Sequence, residues 1–195
     1  MRVSCIQMCS GKDIKENIKL SKELIIKAIK EKADLIITPE TSSIFGLNKK
    51  QLLVGTTSMK KDVYLNAIKQ IAREYKKWIL TSILIKERNK IKNRSILVNP
   101  KGSTHIYYDK IHMYDAQLSK NEKYYESKTF TPGKLIKTTN LPWGKLGLTI
   151  CYDLRFPNMF RNLSRRGSLF ISVPSAFTET TGKKHWHSLL KARAI

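Results

Sequence analysis

Gly147-Leu148-Thr149-Ile150-Cys151-Tyr152-Asp153-Leu154-Arg155-Phe156-Pro157 is the stretch on which the reading of this chain turns. Leu148 to Ile150 have the character of a buried strand, and past Asp153 the residues Met159, Phe160 and Leu163 fall at helical spacing. Cys151 therefore sits on a strand-to-helix corner. A sulfur there stands clear of the sheet, while the backbone N–H groups that follow it, Tyr152 first, point at whatever it attacks. A lone cysteine at a strand end is by itself more often a buried structural thiol. What the rest of the chain brings to the same edge decides between the two.

Working outward on the carboxyl side, Ser168 to Val173 reads as a strand, Pro174 to Lys183 as a loop and His185 onwards as a helix. On the amino side, Met1 to Met8 alternates like a first strand. Asp13 with Glu16 three residues on can cap a helix whose one face carries Ile14, Ile18, Ser21, Leu24, Ile25, Ala28 and Ile29. Asp34-Leu35-Ile36-Ile37-Thr38 is a short apolar strand of the fully buried kind. It ends at Pro39-Glu40, and a right-handed β-α-β crossover leaves Glu40 at the carboxyl end of that strand, where α/β proteins usually place their chemistry.

A polar loop comes next. Val63, Ala67, Ile68, Ile71, Ala72 and Tyr75 make a second helical stripe before a strand over Ile79 to Ile85. Lys86 to Lys90 reads as a turn, Ser95 to Val98 as a strand, Asn99 to Gly102 as a turn and His105 to Tyr108 as a strand ending at Asp109-Lys110. From Ala116 to Thr131 the chain is polar and reads as a surface loop carrying Glu126, before the turn signal Pro132-Gly133. Strands, helices and hairpins mixed in this order predict an α/β domain of two-layer or sandwich type.

The 195 residues suffice for one domain with a core of its own, spanning 1–195. No apolar run approaches membrane-spanning length, and the first residues lack the apolar region of a secretory signal, which predicts a cytoplasmic protein. Cys5, Cys9 and Cys151 are spaced neither as a disulfide framework nor as a zinc knuckle. The formal charge of +22 comes mostly from lysines scattered along every segment. Without an Arg-rich arm or interleaved aromatic and basic residues it reads as a solvated surface with salt-dependent non-specific binding, and no specific nucleic-acid partner is expected.

Glu40, Lys110 and Cys151 thus each follow a strand. A thiol with pKa near 8.5 needs a base to take its proton or a cation to hold its thiolate. A buried Glu does the first and a Lys the second. The same ammonium, helped by the Tyr152 N–H, can hold the oxyanion that forms when sulfur attacks an amide or nitrile carbon. Asp153 and Arg155 read as a structural ion pair at the corner, His112 as a packed histidine, and Cys5 and Cys9 as core or loop residues. His185 and His187, two apart on a helix, make a poor metal pair.

The local contexts carry more than the single residues. Leu35 to Glu40, Tyr108 to Asp115 and Gly147 to Pro157, together with Tyr125-Glu126-Ser127, Pro132-Gly133, Pro174 to Phe177, Thr181-Gly182 and His185-Trp186, resemble the nitrilase superfamily of carbon-nitrogen hydrolases. The likeness is to its omega-amidase and deaminated-glutathione-amidase branch. That resemblance implies an αββα sandwich, a triad of Glu40, Lys110 and Cys151, and an auxiliary or substrate-positioning role for Glu126. It implies no metal or organic cofactor, a small-molecule amide substrate, no membrane partner, and a surface that can pair into homodimers. His187 stands where the family usually has an acidic residue, with Lys183 and Lys184 before it in place of small residues. Family members continue the final helix into further strands, so the resemblance also implies a sandwich incomplete at its carboxyl end. Two functions of different class follow: a thiol-dependent amidase, or a truncated non-catalytic remnant or basic binding module that keeps the motifs.

Overall fold

The side chain of Asp13 accepts the N–H groups of Lys15 and Glu16, and this cap begins the first long helix of a computed structural model that describes residues 1–120 and 122–195. The helix, α1 (Ile14–Lys30), links two parallel strands, β1 (Val3–Cys5) and β2 (Leu35–Ile37). Two further helices, α2 (Lys49–Gly55) and α3 (Val63–Tyr75), lead into β3 (Trp78–Glu87), which lies parallel to β2. The chain then doubles back twice through β4 (Lys90–Val98) and β5 (Thr104–Asp109), giving a sheet of order β1-β2-β3-β4-β5.

A small hairpin of β6 (Asp115–Gln117) and β7 (Lys123–Tyr125) follows. The second sheet has the order β10-β9-β8, built from β8 (Lys137–Leu141), β9 (Gly144–Leu148) and β10 (Phe170–Ser172). Helix α4 (Pro157–Arg165) is the crossover between the parallel strands β9 and β10, and α5 (Glu179–Ala194) closes the chain. Among the described residues no helix is long and apolar enough to cross a membrane.

The side-chain period of two decides the layers. Leu35, Leu80 and Leu97 face the space between the sheets, where they join Leu146, Leu148 and Ile150. Their neighbours Ile36, Ile79 and Ile96 face the opposite way and pack with Ile25 and Ala28 of α1 and Leu65, Ile68 and Ala72 of α3. Met159, Phe160 and Leu163 of α4, with Trp186, Leu189 and Leu190 of α5, pack against the second sheet. Helix approach is close there: a Cβ on Gly147 would lie 3.2 Å from a Leu163 methyl. The order is helix, sheet, sheet, helix, which is the expected αββα sandwich.

Several local expectations are corrected. The first strand is shorter than Met1 to Met8, and Cys5 lies exposed at its end and not in the core, while Cys9 is in a loop as expected. The polar stretch before α3 holds α2, started by a capping box between Asn48 and Gln51. On α3 the buried face is Tyr64, Leu65, Ile68, Ile71 and Ala72, while Val63 and Tyr75 stay exposed. The Tyr64 hydroxyl explains the shift, since it reaches across to Ser21 Oγ on α1 at 2.7 Å. The turn expected over Lys86 to Lys90 narrows to Arg88-Asn89, because Glu87 and Lys90 are paired across the hairpin and Arg88 takes a left-handed φ of 56°. The stretch 116–131 is more ordered than a surface loop: it contains most of the β6–β7 hairpin, and Glu126 opens a short 3-10 helix. The final helix starts at Glu179, six residues before His185, because the side chain of Thr178 caps it through the Thr181 N–H.

Candidate active site

Glu40, Lys110 and Cys151 are delivered to one place by three strand ends. After β2 the backbone keeps one more sheet contact, Thr38 N–H to the Leu80 carbonyl at 2.9 Å, and then turns at Pro39, which has no N–H to continue the ladder. Thr41 takes a left-handed φ of 53°, and Glu40 ends up 6% exposed. Lys110 directly follows β5. Its N–H bonds the Asn93 carbonyl at 2.9 Å and its carbonyl accepts the Gly133 N–H at 2.7 Å. On β5 itself, Asp109 is clasped by Arg94 at 2.6 and 3.0 Å.

Cys151 departs from a plain strand-to-helix corner. β9 ends at Leu148 where a strand over Leu148 to Ile150 is expected, and residues Cys151–Arg155 form a 3-10 helix before α4 starts at Pro157. Parallel pairing persists irregularly, with the Cys151 N–H on the Pro174 carbonyl at 3.0 Å. Cys151 itself takes a φ of 48°, a left-handed conformation that costs a non-glycine residue of order 1–2 kcal/mol. Such strain clusters at functional sites. The Tyr152 N–H lies in the first turn of this helix, where N–H groups have no intrahelical acceptor.

The charged groups form a tight set. Lys110 Nζ lies 2.9 Å from Glu40 Oε1 and 2.8 Å from each carboxylate oxygen of Glu126. Glu40 Oε1 also accepts from Asn93 Nδ2 at 2.8 Å, and Glu40 Oε2 from the Ala176 N–H at 2.9 Å. A carboxylate offers about four lone-pair sites, so three donors leave one on Oε2. Glu126 Oε2 is further held by the Tyr114 N–H at 2.6 Å. Burial alone would lower the Lys110 pKa, but the charges of Glu40, Cys151 and Glu126 overcome it and hold the ammonium above its ordinary range. The Cys151 thiol is pushed well up by burial and then by Glu40, with Lys110 pulling the other way.

The 3-10 turn that begins at Cys151 is tied to the end of β5, which presents Lys110, by Asp153. This buried carboxylate accepts from the Tyr108 hydroxyl (2.6 Å), the Ile150 N–H (2.9 Å), the His112 N–H (3.0 Å) and His112 Nδ1 (2.7 Å). The expected Asp153–Arg155 ion pair is therefore not formed. Arg155 turns outward to His185 Nδ1 at 3.2 Å and lies over the Tyr152 and Phe177 rings. His112 is packed as expected, stacked on Phe156 with centroids 3.5 Å apart.

All of this opens onto a cleft of about 390 Å³ lined by Glu40, Lys110, Cys151 and Glu126 with Asn93, Tyr114 and Ala176. Its walls add apolar surface from Phe45, Leu47 and Phe130. Sequence reasoning missed Asn93, the Ala176 N–H and the four-fold Asp153 anchor. The signal for the first was available, since Asn93-Arg94-Ser95 is a polar break inside an apolar strand and such residues need a partner when buried. The other two carried no local signal.

The sequence pattern of the carbon-nitrogen hydrolase family matches residues 2–195. The chain belongs to the carbon-nitrogen hydrolases. Among the relatives of this carbon-nitrogen hydrolase is the deaminated glutathione amidase of Yersinia enterocolitica, 35% identical over 99% of this chain and 68% of the relative. The corresponding amidase of Synechocystis is 34% identical over 98% of this chain and 72% of its own length. Among solved structures, the Caenorhabditis elegans NitFhit protein superposes with a TM-score of 0.90 at 32% identity, covering 99% of this chain and 48% of that one. Saccharomyces cerevisiae Nit3, a nitrilase-superfamily member, gives a TM-score of 0.86 at 27% identity, over 99% of this chain and 70% of its own.

Proposed function

We propose that residues 1–195 act as a carbon-nitrogen hydrolase domain that cleaves a small carboxylic amide to acid and ammonia through a thioester on Cys151. The substrate class is an ω-amide of a dicarboxylic or 2-oxo acid. The observation that carries the reading is a strained, left-handed Cys151 opening onto the same cleft as a Lys110 ammonium clamped between Glu40 and Glu126. The naming of relatives as deaminated glutathione amidases supports the amide class.

The raised thiol pKa means that the resting nucleophile is S–H, so its proton has to leave as the carbon–sulfur bond forms. Glu40 takes that proton on the lone pair its three donors leave open. The carbonyl π electrons move to oxygen, and Lys110 with the Tyr152 N–H holds the oxyanion. Collapse of the tetrahedral species breaks the C–N bond, and protonated Glu40 gives its proton to the departing nitrogen as ammonia. Glu40 next takes a proton from water as the water oxygen adds to the thioester. The second collapse breaks the C–S bond and the sulfur regains its proton. Glu126 keeps the Lys110 ammonium charged and aimed.

Ammonia release from succinamate and α-ketoglutaramate by the parent chain and its Cys151→Ala variant tests this. Turnover by the parent and none by the variant is expected, and Lys110→Ala is expected to lose about 3 kcal/mol of transition-state stabilisation, some two orders of magnitude in kcat/KM. Equal ammonia release by parent and Cys151→Ala would refute the thioester route.

A further inference from the structure

Lys90 and Lys92 stand two positions apart on β4, so the period of two turns both to the face that also holds Arg94. On the neighbouring strand β5, Tyr107 and Asp109 pair with Ile96 and Arg94 and share that face. Lys90, Lys92, Tyr107 and Asp109, with Lys134 from the segment leading to the second sheet and Lys137 at the start of β8, line a separate cleft of about 340 Å³. It has no lining residue in common with the cleft at Cys151. Its acid is already engaged: Arg94 clasps both oxygens of Asp109 and pairs with Glu87 at 2.7 Å. None of the four lysines forms an ion pair among the described residues, and Lys92 Nζ is held at the wall by the Pro132 carbonyl at 2.9 Å. With Arg94 counted, five cations against Asp109 and Glu87 leave three positive charges around one hollow. Other hollows of the same lysine-rich chain are balanced differently. The Cys151 cleft sets Lys110 and Lys123 against Glu40 and Glu126, and a groove beside α1 sets Lys19 against Glu16 and Glu23.

Like charges gathered about a concavity repel one another and focus a positive potential into it, and a compact, multiply charged anion relieves that repulsion at several points at once. Lysine ammonium groups act as point charges and suit phosphate oxygens. Here they come from β4, from the segment before β8 and from β8 itself, which encloses a compact ion; a row along an open groove would suit an extended chain. We propose that this cleft binds a small anion with adjacent phosphates, either a free polyphosphate or the phosphate tail of a nucleotide. Tyr107 and Leu135, both exposed, supply the surface against which a nucleoside would lie. The Tyr107 ring is itself held by the Arg94 guanidinium, 4.0 Å from its centroid. The site is independent of the amidase reading, since it uses none of the groups around Cys151.

Calorimetric titration of the parent chain with inorganic triphosphate tests this, beside two double variants of equal charge change. One is Lys90→Gln with Lys134→Gln in the cleft; the other is Lys27→Gln with Lys30→Gln on the exposed last turn of α1. One site per chain is expected in the parent. The cleft pair is expected to bind about tenfold more weakly, two exposed ion pairs of about threefold each, and the α1 pair within about twofold of the parent. Inorganic phosphate, with fewer charges to span the lysines, is expected to bind about tenfold more weakly than triphosphate. Lysine acetylation read by mass spectrometry locates the site without any substitution: triphosphate is expected to shield Lys90, Lys134 and Lys137 and to leave Lys27 and Lys30 as reactive as before. ATP binding as tightly as triphosphate would make a free polyphosphate sufficient, and tighter ATP binding would identify a nucleotide; both support the site. Equal weakening in the two double variants, several sites per chain, or protection spread over the whole surface would show attraction to net charge alone and overturn the proposal. Absence of saturable binding, or phosphate binding as tightly as triphosphate, would overturn it too.

Discussion

Cys151 carries a φ of 48° because its N–H is fixed to the Pro174 carbonyl while the 3-10 turn after it is anchored by Asp153. Replacing it separates backbone strain from chemistry. Cys151→Gly is expected to be more stable than Cys151→Ala by about 0.5–1 kcal/mol, the relief of a left-handed Cβ less the greater unfolded-state freedom of glycine. Urea denaturation of the two variants checks this, and an equal or less stable Gly variant would show that the strain is not stored there. Glu126 gives a second prediction. Burial raises its pKa, Lys110 lowers it, Glu40 raises it, and the net displacement is upward. As pH falls through that raised value the carboxylate gains a proton and Lys110 loses one of its two counter-charges. The acid limb of kcat/KM is therefore expected above about 4.3, the ordinary glutamate value. In Glu126→Gln, a pH–rate profile with the limb unmoved would assign it to another group.

At the scale of elements, the decisive joint is the one that holds the end of β5. Gly133 approaches so closely that a Cβ on it would lie 2.2 Å from the Asp109 carbonyl oxygen and 2.9 Å from the Asp109 Cβ. Both are parts of the strand end that presents Lys110, and the Gly133 N–H bonds the Lys110 carbonyl. Gly133→Ala is expected to cost about 1–3 kcal/mol of stability, as overpacking does, and to lower kcat through displacement of Lys110. Thermal denaturation alongside ammonia release checks this, and an unchanged kcat would mean that the strand end absorbs the methyl group without moving the ammonium. In the sequence Pro132-Gly133 reads only as a turn. The reason glycine is needed there lies in a strand more than twenty residues upstream. The β6–β7 hairpin is similar: its three-residue strands are too short for a period to register, and pairing across Asp115 and Tyr125 defines them.

For the whole molecule, a formal charge of +22 means mutual repulsion across a surface on which, among the described residues, Lys183 is the one exposed lysine paired with an acid. Raising ionic strength from about 0.01 M to 0.15 M shortens the screening length from about 30 Å to 8 Å, so Tm is expected to rise with sodium chloride. Differential scanning calorimetry at the two salt levels would show it, and a flat or falling Tm would mean that the charge is compensated in the fold. The layers themselves were largely legible in the chain, because capping by Asp13, the helical stripe of α1 and the buried strands at Leu35 and Ile79 are local patterns. Glu40, Lys110 and Cys151 could be placed at strand ends for the same reason, as could the type of chemistry that a thiol, a carboxylate and an ammonium perform together. What only the tertiary structure decided is how these ends meet. Lys110 bonds Glu126 across 16 positions and Glu40 across 70, and Glu40 takes the Ala176 N–H across 136. Asp153 leaves its neighbour Arg155 for Tyr108 on β5 and for His112 just beyond the end of that strand. Such partners are fixed by the packing of two sheets against each other, and no period or spacing along the chain encodes that distance.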